Sequence, residues 1–149
     1  MRPQIPQPLK LEHEELHAEL VAATNAGGKT AEAAKSVAKL LHPHFVKEEE
    51  FALPPIGLLA TLARGKTNRT MGSVLDMTER LRAELPEMLR EHKAVVTALK
   101  KLIAVAKIEK KPVHARFAEK LMLHAQTEEE VFYPAALLIG EILKLRLGQ

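Results

Sequence analysis

The sequence contains no cysteine. That excludes disulfide staples, thiolate zinc sites, iron–sulfur clusters and a cysteine nucleophile, and it accords with a cytoplasmic protein. There is no tryptophan and one tyrosine, Tyr133, so the aromatic platform on which single-stranded nucleic acid stacks is missing. No apolar run reaches the roughly 18 residues a membrane-spanning helix needs. The nearest approach, residues 131–147, is broken by Pro134, Gly140, Glu141, Lys144 and Arg146. The first ten residues hold Pro3, Pro6 and Pro8 and no apolar core, so no secretory signal is expected. Net charge is only +3, with one basic stretch from Lys100 to Lys120. It reads as a solvated helix end and loop, and neither nucleic acid nor membrane is an expected partner.

What is abundant is alanine, leucine, glutamate and lysine, with few strand formers, which predicts an all-α protein. A chain of 149 residues suits a single domain over residues 1–149, with residues 1–8 as an extended N-terminal segment. A first helix is expected over Pro8–Thr24, where Leu9, His13, Leu16, Leu20 and Ala23 share a stripe, ended by Asn25-Ala26-Gly27-Gly28. A second begins near Thr30 as N-cap, carries Pro43 as an expected kink, and stops at Pro54-Pro55. Residues 56–63 suggest a short helical turn of core or dimer contact, and residues 64–72 the main loop. A third helix is expected from Ser73, with Ser73 and Asp76 spaced as a capping box, to about Lys107, kinked or split at Pro86. A fourth starts at Pro112, is bent or interrupted at Pro134, and ends near Arg146. Four amphipathic helices can bury their stripes only on one another, which makes an up-down-up-down four-helix bundle.

Two segments repeat: His44-Phe-Val-Lys-Glu48-Glu49-Glu50-Phe-Ala-Leu-Pro54 and His124-Ala-Gln-Thr-Glu128-Glu129-Glu130-Val-Phe-Tyr-Pro134. Both read H-x-x-x-E-E-E-x-x-x-P. A second match, Glu12-His13 with Glu91-His92, lies at almost the same offset: 92 − 13 is 79, while 124 − 44 is 80. The chain therefore reads as two helical hairpins, each offering E-H and then H-x-x-x-E.

A helix turns about 100° per residue, so residues four apart lie within about 40° of one another on one face. His44 and Glu48 share a face, as do His124 and Glu128. Glu49 and Glu129 point further round and suit solvated positions or partners of the ligands. If the four faces converge, His13, His44, His92 and His124 meet Glu48 and Glu128 in the core. Buried carboxylates are costly unless neutralised. Imidazole with carboxylate suits divalent transition metals, manganese and zinc included, and carboxylates can bridge two ions. His13 and His92, taken singly, also suit hydrogen-bonded core histidines.

With these motifs the sequence resembles the hemerythrin-like HHE cation-binding domains. The resemblance rests on LLHPHFVKEEEFALPP and LMLHAQTEEEVFYPA, with EHEELHAEL and REHKAVVTAL behind them, and extends over residues 9–145. It implies a hemerythrin-like four-helix bundle around two non-haem iron ions, a di-iron centre bridged by carboxylates and an oxo or hydroxo group. It implies His13 and His44 as terminal ligands of one iron, His92 and His124 of the other, and Glu48 and Glu128 as bridges. It implies a small ligand such as O2, peroxide or nitric oxide, with turnover of peroxide or nitric oxide, or iron storage or sensing, as alternatives. No catalytic residue is singled out, and a monomer or homodimer is expected.

Two positions depart from the oxygen carriers of that family. Val96 stands where they have a second helix-three histidine. Glu129 stands where their helix-four carboxylate is, while Glu128 has the better spacing. Both changes weaken the reading as a simple oxygen carrier and leave room for a further ligand, for which His17 is a candidate. His42 and His114 are expected at the surface, and Tyr133 as core filling beside Pro134.

Overall fold

The structure, a computed structural model, describes residues 2–148; the expected domain limits at Met1 and Gln149 lie outside them. Each apolar stripe becomes a helix that buries it. Helix α1 spans Gln7–Thr24 and buries His13, Leu16, Leu20 and Ala23, spaced by three or four residues. Helix α2 spans Gly28–Lys47, and a short helix α3 spans Leu59–Ala63. Helix α4 runs over Val74–Ile108, α5 over Pro112–Thr127 and α6 over Tyr133–Leu147. The described residues are helical or connecting, without strands. The segment Glu128–Phe132 joins α5 to α6 as one rod, so the rods are four. They close a ring in which α1 packs on α2 and α5, and α4 packs on α2 and α5. This is the expected up-down-up-down bundle. No helix among the described residues is long and apolar enough to cross a membrane.

Three local expectations are corrected. Helix α2 starts at Gly28, not Thr30, behind Gly27 at φ +78°. Its first amides are served from another helix: Lys29 and Thr30 donate N–H bonds of 3.0 and 2.9 Å to Glu109, and the Thr30 hydroxyl adds a third at 2.5 Å. These bonds hold the Glu109 carboxyl down at about 2, as a carboxylate at a helix N-terminus should be. The capping box at α4 does not form. Ser73 sits in helical geometry at the end of a 3₁₀ turn, and its hydroxyl donates back to the Thr70 carbonyl at 3.2 Å. Pro86 does not split α4, which runs unbroken for 35 residues.

The prolines that close the two repeats act differently from a simple stop. Glu48–Ala52 and Glu128–Phe132 are each one turn of π-helix. The Glu48 carbonyl accepts from Leu53 N–H at 2.8 Å, and Glu128 likewise from Tyr133. In a regular α-helix the ring of Pro54 would collide with the Glu50 carbonyl; the wider turn relieves this and leaves that carbonyl free. Arg2 takes it up, donating at 2.9 Å to Glu50 and 3.3 Å to the Glu49 carbonyl.

The core has an apolar cluster on either side of the histidines. Along α4 the order is Leu81 and Met88, then His92, then Val95, Leu99 and Leu102. The first group packs with Phe51, Leu53 and Tyr133, the second with Leu16, Leu20, Leu41 and Leu121. The polar layer thus lies between two dry ones. Where α4 and α6 pack, Gly140 faces buried Thr78, and a Cβ on Gly140 would lie 2.7 Å from Thr78 Cβ. Gly140→Ala is therefore expected to destabilise the fold by about 1–3 kcal/mol, read as a lower urea midpoint at unchanged slope.

Candidate metal centre

The structure brings together all six residues that the repeat singles out. His13, His44, Glu48, His92, His124 and Glu128 are buried, none more than 5 % exposed. Glu128 lies at the centre. Its Oε2 is 3.1 Å from His124 Nε2 and 3.5 Å from His13 Nε2, and its Oε1 is 3.2 Å from His92 Nε2. Glu48 Oε2 is 3.4 Å from His44 Nε2, and Glu48 Oε1 is 3.6 Å from His13 Nε2.

Two overlapping donor sets lie within reach of a single cation each: His44, Glu48, His92 and Glu128, and His13, His124 and Glu128. Glu128 alone belongs to both. These sets pair histidines between the hairpins, whereas the resemblance implies His13 with His44 and His92 with His124. Each rod has neighbours in both hairpins, so the ring allows pairing within or between them, and the donor distances select the latter.

Each histidine presents Nε2 inward because a carboxylate holds its other nitrogen. Nδ1 of His13 donates to Glu49 at 3.2 Å, His44 to Glu91 at 2.9 Å and His92 to Glu129 at 3.2 Å; His124 donates to Glu12. A hydrogen-bonded Nδ1–H fixes the tautomer in which Nε2 keeps its lone pair, the form a metal requires. Glu49 and Glu129 thus fill the role of ligand partners. Glu12 and Glu91 are new. The repeated E-H dipeptides flagged them, but each serves a histidine of the opposite hairpin. Lys47 anchors Glu91 at 2.8 Å; partial burial opposes its ionisation, yet Lys47 and His44 hold its carboxyl below the usual range. Glu91→Gln and Glu12→Gln are each expected to weaken metal retention by about 10–100-fold, read as faster loss to a chelator.

Tyr133 fills the core beside Pro134, as expected, and is also a member of the site. Its ring packs in the apolar layer, but its hydroxyl donates to Glu48 Oε2 at 2.5 Å and lies 3.2 and 3.1 Å from Nε2 of His44 and His92. Burial first, then the charges of Glu48 and Glu128, push its pKa up, so the phenol keeps its proton. The corresponding residue of the first repeat is Leu53, so the site is asymmetric. His17 is exposed and outside both donor sets, as are His42, also exposed, and His114, half-buried.

Without a cation the layer holds protons in its place. Burial by itself would lower His44 and His124, but the carboxylates of Glu48 and Glu91, and of Glu128 and Glu12, raise both to about 9. His13 is raised by Glu128 and Glu48 against the same penalty. Burial and the neighbouring charge of Glu128 raise Glu48 to about 7. Burial works against Glu128 too, yet hydrogen bonds from Glu48, His124, His13 and His92 hold it well below the usual carboxylate range. One oxygen stays unserved: buried Glu48 Oε1 has no hydrogen-bond partner. A buried unpaired carboxylate oxygen is costly, and a cation beside it would remove the cost. The residues fit a metal.

Residues 5–136 match the family model described as hemerythrin HHE cation binding domain. No curated protein and no solved structure matches the chain.

Proposed function

The chain belongs to the hemerythrin HHE cation-binding family, and from that premise we propose that it holds two iron ions and binds a small oxidant such as O2, peroxide or nitric oxide. The observation that carries this is the buried layer itself: four imidazoles aimed inward, Glu128 in both donor sets, and Glu48 Oε1 without a hydrogen-bond partner. His44, His92 and Glu48 would hold one ion, His13 and His124 the other, with Glu128 between them and Glu48 within reach of His13. When bound, a ferrous pair supplies electrons to a small ligand. The chain's own part is to keep water out with the apolar layers, to orient each ring through its carboxylate, and to offer the protonated Tyr133 hydroxyl at the His44/His92 side.

That hydroxyl favours a second reading, turnover of peroxide or nitric oxide, because it places a proton donor at one ion position only. The absence of cysteine fits a cytoplasmic setting, as a monomer or homodimer.

The test is metal content per chain and the visible spectrum of aerobically purified protein. About two irons per chain, with a charge-transfer band that changes on adding O2, peroxide or nitric oxide, is the expected result. Protein that takes up no metal after anaerobic ferrous reconstitution would overturn the reading. Two bound metals with no spectral response to any of the three would leave storage or sensing in its place.

A further inference from the structure

Two grooves flank the polar layer, and the repeat maps one onto the other. Between α1 and α2, His13, His17, His42, Phe45 and Glu49 line a groove of about 310 Å³. Between α4 and α5, the equivalent residues His92, Val96, Met122, Ala125 and Glu129 line one of about 690 Å³. The offsets are again 79 residues on the first helix of each hairpin and 80 on the second.

The grooves differ at the residue that covers the histidine. Phe45 stacks on the His13 ring, centroids 4.3 Å apart and planes 19° from parallel. Its counterpart Ala125 has a single methyl group and cannot shield His92 in this way. On the inner side the His92 ring lies 4.6 Å from the His44 ring and 5.6 Å from that of Tyr133. The α4–α5 groove therefore ends at Ala125 and His92, and behind the His92 ring lies the His44 and Tyr133 side of the centre. The linings differ as well: Glu14, His17, His42 and Val46 on the α1–α2 side correspond to Lys93, Val96, Met122 and Gln126 on the α4–α5 side.

We infer that the α4–α5 groove is the access route for a small ligand, and that Ala125 keeps it open where Phe45 covers the histidine on the other side. Its destination rests on the cation-pair reading above; the groove itself does not.

The experiment uses nitric oxide as the probe. Its association rate is followed by stopped flow on the full-length, ferrous-loaded parent, Ala125→Phe, Val96→Phe and Phe45→Ala. Both filling variants are expected to bind nitric oxide at least about tenfold more slowly at parental iron content, and Phe45→Ala at the parental rate or faster. Val96→Phe fills the groove from α4 should Ala125→Phe fold poorly. In parallel, crystals pressurised with xenon, with or without metal, should show xenon against Ala125 and Val96 in the parent and none in Ala125→Phe. Parental rates in both filling variants would overturn the inference, and a faster rate in Phe45→Ala beside them would move access to the α1–α2 side. Xenon in the groove of a protein that takes no iron would sink the cation reading and keep the groove. No xenon together with parental rates would sink the groove and keep the cations.

Discussion

Glu128→Gln is expected to purify with essentially no bound metal, while His44→Ala loses the ion on its own side first. The difference follows from geometry. Glu128 is the one residue shared by both donor sets, whereas His44 enters one. Glutamine keeps the volume of the side chain and one acceptor, but it loses the negative charge that both donor sets share. It also places an amide donor where His124, His13 and His92 present Nε2 at 3.1 to 3.5 Å. Loss of a partner that merely orients a ligand costs about 10–100-fold in affinity; loss of a shared ligand should exceed about 100-fold on the same scale. The bundle should survive, because its stability comes chiefly from the apolar clusters above and below the layer. Metal per chain and far-ultraviolet circular dichroism read the two effects separately. A helical Glu128→Gln protein that retains the parental metal content would show that Glu128 is not the shared ligand.

The second large effect is a loss of pH dependence on metal loading. In the metal-free protein, His44 and His124 keep their protons up to about 9, against 6.5 for a free imidazole. Between those limits the native state binds more protons than the unfolded chain, so stability is fully present below 6.5 and is lost as pH rises towards 9. Glu48, raised from 4.5 to about 7, acts in the same direction over its own lower window. Glu128, depressed, acts oppositely, and its contribution is lost only in acid. The Tm of chelator-treated protein should therefore fall by on the order of 5–10 °C between pH 6.5 and 9. Metals need the deprotonated ligands, so binding at pH 7 should release about two or three protons per chain, and affinity should rise with pH. The loaded protein, whose ligands are deprotonated like those of the unfolded chain above about 7, should hold its stability over the range where the metal-free protein loses it. Thermal melts of both forms from pH 6 to 9, with proton release from calorimetry in two buffers, check this. Parallel pH profiles would show that the buried histidines are not the metal's competitors.

Much of this centre is legible without coordinates. Four apolar stripes at helical spacing have only each other to pack on, which settles an all-α bundle. The spacing of four places His44 with Glu48 and His124 with Glu128 on common faces, because a helix repeats on that interval. The absence of cysteine limits the donor chemistry to nitrogen and oxygen. These are local or compositional facts, and one-dimensional information carries them.

What the tertiary structure decided is everything that crosses between rods or departs from the regular helix. Glu12 and Glu91 reach histidines 112 and 47 residues away, a pairing set by which helices are neighbours and not by any spacing. Tyr133 lies five residues beyond Glu128, about 140° round a regular α-helix; the π turn between them resets that angle and brings its hydroxyl onto Glu48. Thr30 and Ser73 lost their expected capping roles to a carboxylate on a distant helix end and to a 3₁₀ turn. Sequence periodicity determined which side chains share a face of one helix, since that depends only on the local backbone repeat. Which faces meet, and how far a proline displaces the register, is decided by packing energy summed over the whole bundle.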